Sequence, residues 1–193
     1  MIPKESAMIE SHIKAMQALK GKSVEAGWFE SAIYSPPNGG TGAGMPVAAI
    51  ARILENGATI DHPGGTKYIS DAIVKKNFVG TRFVHKNFQG EHKVTQAHKI
   101  VIPARPFMAL AWSMFSQQRA ALQKTIAKKL ITGETTPAKA LGLIGLALEG
   151  CIAKSIKNGN WTPNADSTAR KKGFNKPLIN SGHMLQLVSS KVI

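Results

Sequence analysis

Cysteine is all but absent from this chain, with Cys151 alone among 193 residues. A lone thiol closes no disulfide within one chain, so stability must come from packing, and a reducing compartment suits such a sequence. Aromatic residues make up only 6%, which leaves aliphatic side chains to fill the core. No stretch approaches the roughly 18 consecutive apolar residues of a membrane span. The opening residues, Met1-Ile2-Pro3-Lys4-Glu5, hold no apolar signal region. Neither secretion nor membrane insertion is expected. Acids are few as well, 11 against 25 Lys and Arg, for a formal charge of +14. That imbalance points to an anionic partner, either DNA or an acidic protein surface.

The residue sets that catalysis requires are also missing. There is no His-Glu-x-x-His, no close-spaced Cys pair, no Walker phosphate loop and no Gly-x-Ser-x-Gly elbow. His62, His85, His92 and His98 share the middle of the chain but lack the paired spacing of zinc ligands, and read as solvated or turn residues. Glu25 and Glu30 are an odd number of residues apart along a predicted strand, which puts them on opposite faces and makes them a poor acid/base pair. Cys151 falls on an apolar helical face and is expected to be buried. These absences point away from an enzyme and from any cofactor or metal.

At this length the chain fits one domain, able to bury about two-thirds of its unfolded surface. Met8, Ile9, His12, Ile13, Met16 and Leu19 recur at helical spacing, and Gly21 supplies a stop. Ser23 to Tyr34 alternates as a strand does, with Trp28 as a core anchor. Ser35 to Gly44 consists of turn formers and reads as a flexible loop. Pro46 starts a helix through Leu54 that Gly57 ends.

From 59 to 102, short β-favouring pieces separated by Gly, Asn, Lys and His predict a strand-rich excursion that returns to the main sheet. Beyond it, Phe107, Leu110, Met114, Leu122, Ile126 and Leu130 line one side of a long helix. Gly133 breaks it, and Thr135 or Thr136 caps a second helix with Pro137 at its first position. Its stripe is Leu141, Ile144, Leu148, Ile152 and Ile156, with Gly142 and Gly145 permitting close approach of another backbone. A turn or two of helix at 166–172, a short helix from His183 and a strand over 187–193 complete the prediction.

Two dense segments stand out. In Ile102-Pro103-Ala104-Arg105-Pro106-Phe107, the prolines hold Ala104-Arg105 extended before Phe107 opens the long helix. In Lys176-Pro177-Leu178-Ile179-Asn180-Ser181-Gly182-His183-Met184-Leu185, a proline leads through two apolar residues into a turn that caps the short helix. Arg105 reads foremost as a hydrogen-bonded brace between strand and helix, with an intersubunit contact as the alternative. Arg170, Lys171, Lys172 and Lys176, near Trp161 and Phe174, form a basic patch with interleaved aromatics.

These two segments, with Val47 to Gly57 and Ser167 to Gly173 in the same order, resemble the tail-completion and virion-morphogenesis proteins of tailed bacteriophages. The resemblance covers about half of the chain, and the order of its segments is more specific than any one of them. It implies a non-enzymatic neck subunit, located in the virion and assembled in the host cytoplasm. Such a subunit forms a homo-oligomeric ring that joins tail to head and leaves a DNA channel. Its partners would be other neck, portal-side or tail-tube proteins, with possible non-specific contact to passing DNA. Arg105, Pro106, Phe107, Pro177, Leu178 and Gly182 are then structural or interface residues.

The expected fold is α+β, a small mixed or antiparallel sheet with long helices packed on one face, in a single domain over 1–193 with the β-rich excursion at about 59–102. The alternative function is a basic protein that binds nucleic acid without sequence preference, through phosphates alone.

Overall fold

The computed structural model describes residues 3–35, 44–74 and 77–193. Most of the loop expected at Ser35 to Gly44 lies outside the described residues. The fold is α+β. Among the described residues it has six helices and four small sheets, with every strand pair antiparallel. The chain divides into two compact units, one made of Met1–Asn56 with Ala104–Ile193, the other of Gly57–Pro103.

Local punctuation accounts for the helices of the first unit. Helix α1 spans Pro3–Leu19 and ends ahead of Gly21, whose φ of +75° no side-chain-bearing residue adopts easily. Helix α2 spans Val47–Asn56, starting just after Pro46 and stopping at Gly57. Helix α3 runs Phe107–Ile131. Helix α4 runs Pro137–Asn158, with Pro137 at its first position and the Thr136 side chain accepting from the Lys139 amide at 3.3 Å. Two short helices follow, α5 at Asp166–Lys172 and α6 at His183–Gln186.

The strands are shorter and more dispersed than the single sheet expected. Strand β1, Val24–Gly27, pairs with the C-terminal β9, Ser189–Val192. Ser23 and Ile193 extend this ladder by exchanging two hydrogen bonds of 2.9 Å. Strand β2, Ile33–Tyr34, pairs only with β3, Met45–Pro46. The predicted strand over 23–34 therefore breaks in two, because the chain turns between Phe29 and Ala32, closed by an amide-to-carbonyl bond of 2.9 Å. Glu25 lies on β1 within 3.7 Å of Lys191, and Glu30 lies in the turn.

Helices α3 and α4 pack together, and α4 also meets β1 and β9. Phe107, Ile156 and Val47 are the largest fully buried apolar side chains, joined by Ala51, Phe115, Cys151, Ile152 and Met184. A second small cluster, Ile126, Leu130 and Ala140, fills the far end of the helix pair. Of the two glycines expected to admit a close neighbour, only Gly145 does so. A Cβ there would collide with the Ser190 side chain on β9, whereas one at Gly142 would meet open space.

In the second unit, β4 (Ala58–His62) pairs with β8 (His98–Ile102). Strand β5 (Lys67–Val74) lies between β6 (Asn77–Phe83) and β7 (Lys93–Val94). Among the described residues these strands pair only with one another, where the sequence predicts a return to the main sheet. The β4–β8 pairing sets Ala58 opposite Ile102, so the segment leaves and rejoins the chain at neighbouring points.

Candidate interaction surfaces

The segments singled out in the sequence meet around the start of α3. Pro106 occupies the cap position of that helix and offers no side-chain acceptor. The first amides are served instead by Glu55, from the last turn of α2. Met108 N–H donates to Oε2 at 2.8 Å and Ala109 N–H to Oε1 at 3.1 Å. A carboxylate there satisfies two orphan donors and faces the positive end of the helix. The Arg105 amide donates to Leu54 O at 2.8 Å, which fixes the approach of the chain to α3.

The Arg105 side chain is buried at 5% exposure. Its Nε donates to Thr162 O at 3.0 Å and its Nη2 to Pro163 O at 3.3 Å. The guanidinium fork thus ties the start of α3 to the loop that follows α4, and burial pushes its pKa down. Phe107 is fully buried and meets the Trp28 ring edge to face, centroids 5.9 Å apart. Trp28 Nε1 donates to Met184 O at 2.7 Å, bringing the C-terminal segment into the same place.

In that segment Pro177, Leu178 and Ile179 are half-buried, and Leu178 and Ile179 pack on the core. Leu178 holds φ at +61°, the only non-glycine residue with positive φ among those described. Gly182, at φ +81°, turns the chain into α6, where Met184 is buried. Tyr34 lies 5.0 Å from the His183 ring, and burial raises its pKa against a backbone hydrogen bond from Met184.

Of the basic patch, Arg170, Lys171 and Lys176 are exposed. Lys172 donates to Lys176 O at 2.6 Å and stands 4.9 Å from the Phe174 ring centre. Partial burial first, and the Arg105 charge second, push the Lys172 pKa down. The sequence paired two aromatics with these cations. Trp161 is turned inward, its Nε1 donating to Ser155 O at 3.2 Å, so Phe174 is left as the exposed ring of the patch.

The histidines of the middle segment serve local turns. His62 Nδ1 accepts from the Gly64 amide at 3.0 Å, and His85 Nδ1 from that of Asn87 at 3.3 Å. The Nδ1 atoms of His92 and His98 sit 2.6 Å and 2.8 Å from the carbonyls of Gly90 and Gln96. Among the described residues no three His, Cys, Asp or Glu side chains gather as a metal site would require.

Two features were invisible in the sequence. One is the capping role of Glu55, whose partners lie more than fifty positions on. The other is an apolar groove of about 400 Å³ formed by Met16 and Leu19 of α1, Ile126, Leu130 and Ile131 of α3 and Ile144 of α4. Elsewhere on α1, Ile9 and Ile13 are exposed, and on α4 Leu146 reaches 62%.

Comparison of the chain with models of protein families, with curated proteins and with solved structures finds no match.

Proposed function

We propose that the chain is a structural virion protein of a tailed phage, a neck or tail-completion subunit that forms a ring at the head–tail junction. The observation that supports this reading is the convergence of the segments carrying the phage resemblance. Glu55 caps the amide of Met108 next to Phe107, and Trp28 packs on Phe107 while donating to Met184 O, so three of these segments meet at the start of α3. Residues held in this way build a scaffold. The exposed apolar positions on α1 and α4 suit repeated subunit contacts, since a heterologous ring needs two different complementary patches on each copy. Portal-side or tail-tube proteins would flank the ring, and its basic lumen would tolerate sliding DNA without reading bases.

The test is the mass of the purified protein across a concentration range, alone and with disrupted phage heads or tails. A ring-sized species, or incorporation into either part, is the expected result. A strict monomer that ignores both would remove the reading.

The charge on α5 favours one second reading, a protein that binds nucleic acid through phosphates alone. Arg170, Lys171 and Lys172 follow one another, and Lys172 already feels the charge of Arg105. This reading predicts duplex affinity in the monomer that falls steeply with salt.

A further inference from the structure

In the unit Gly57–Pro103, no residue of 57–70 or 80–103 is buried. Several of its apolar side chains lie at the surface, with Phe83 at 66% exposure. Across the sheet β6-β5-β7, Phe83 is directly opposite Tyr68, and Tyr68 is directly opposite Lys93. Opposed residues of an antiparallel ladder project from the same face, so these three form one row over three strands. The two rings meet edge to face with centroids 6.5 Å apart. Beside them lies an open depression of about 520 Å³ that Thr81, Gln96 and His98 also line, and no lining residue is acidic.

We infer that this face binds single-stranded nucleic acid, with bases stacking on Phe83 and Tyr68 and a neighbouring phosphate held by Lys93. Two observations select that ligand. The segment 57–103 carries Lys67, Lys75, Lys76, Arg82, Lys86, Lys93 and Lys99 against Asp61, Asp71 and Glu91, an excess that calls for an anion. The exposed Phe83 ring, with the half-buried Tyr68 ring beside it, calls for flat π surfaces. A duplex offers phosphates but keeps its base faces stacked within the helix, and an apolar peptide would leave the cations unused. A single strand supplies both, and stacking tolerates any base. Thr81, Gln96 and His98 place hydrogen-bonding groups at the margin where base edges would lie. The inference concerns a surface remote in sequence from the α5 patch and does not rest on the ring reading.

The test uses the full chain and a fluorescent oligothymidylate of about 16 nucleotides, followed by anisotropy beside a duplex of equal length. The wild type is expected to bind the single strand more tightly than the duplex. Phe83→Ala should weaken single-strand binding on the order of 10-fold, while Phe83→Trp retains it. Since Phe83 is exposed, its melting temperature serves as the check on folding and should not move. Lys93→Glu should weaken binding and flatten its salt dependence. Trp112→Ala, which removes a ring exposed at 58% on α3, should leave affinity unchanged. Failure of the wild type to bind oligothymidylate would overturn the inference. So would equal affinity for duplex, or a Phe83→Ala protein that binds like the wild type.

Discussion

Arg105 brings a positive charge into the protein where only carbonyl dipoles receive it, those of Thr162 and Pro163. Removing the side chain strips two acceptors of their donor, and hydrogen bonds from a charged group contribute about 1.5–3 kcal/mol. Arg105→Ala should therefore lower the unfolding free energy by about 2 kcal/mol in urea titrations. Arg105→Lys should recover less than half, because an ammonium cannot present two coplanar donors. An Arg105→Ala protein as stable as the wild type would show that the fork holds nothing. Lys172 is perturbed first by its own partial burial and second by the Arg105 charge. Its pKa lies below the ordinary 10.5, so the folded state binds that proton less tightly than the unfolded chain does. The protonated form thus costs stability at neutral pH, and the cost fades as pH rises through the folded pKa towards 10.5. Tyr34 acts in the opposite sense. Its pKa is raised above 10.0, so stability is lost as pH climbs past that value. The stability of the wild type relative to Lys172→Met should accordingly increase from neutral pH towards 10.5, measured by denaturant melts at each pH. A constant difference would remove the linkage.

On α4, Gly142 and Gly145 share a sequence signal but not a role. Alanine at an open helical position gains about 0.5–1 kcal/mol, so Gly142→Ala should raise the melting temperature. Gly145→Ala makes the same helical gain but drives a methyl into the Ser190 side chain on β9. Overpacking of this kind costs about 1–3 kcal/mol, so the net effect should be destabilising, and the penalty should shrink in a Ser190→Gly background. Equal shifts from both alanines would mean that β9 does not press on α4. The contrast marks what could be read from the sequence. Helix ends announce themselves locally, so Pro106, Gly133, Thr136 and Pro137 place α3 and α4 within a residue or two. Pairing is a property of distant residues. Nothing near Val24 names Val192 as its partner, and nothing near Gly145 names Ser190. The candidate site divides in the same way. The proline geometry around Arg105 is local and was legible. The carbonyls that receive its side chain, and the carboxylate of Glu55 that caps α3, come from other parts of the chain. The inward turn of Trp161 escaped for the same reason, since its acceptor is a carbonyl at the end of α4.

At the scale of the whole molecule, the buried clusters among the described residues belong to one of the two units. Both buried clusters, and the half-buried residues packed on them, are drawn from Met1–Asn56 and Ala104–Ile193. The Arg105 amide to Leu54 carbonyl bond of 2.8 Å already brings the two parts of the first unit together across the gap. Replacing Gly57–Pro103 with a short Gly-Ser linker should therefore leave a protein with a cooperative thermal transition and strong helical circular dichroism. Loss of cooperativity would mean that the segment contributes to the core of the first unit. The excised segment is expected to behave differently. Isolated sheets of two and three short strands are marginal in water, so the isolated peptide should lack dispersed amide resonances. Mass measurements on the linker variant then separate scaffold from contact. If the ring forms without residues 57–103, the subunit interface lies in the first unit, where the exposed α1 and α4 positions are. If the variant folds but stays monomeric, the β-rich segment supplies that interface.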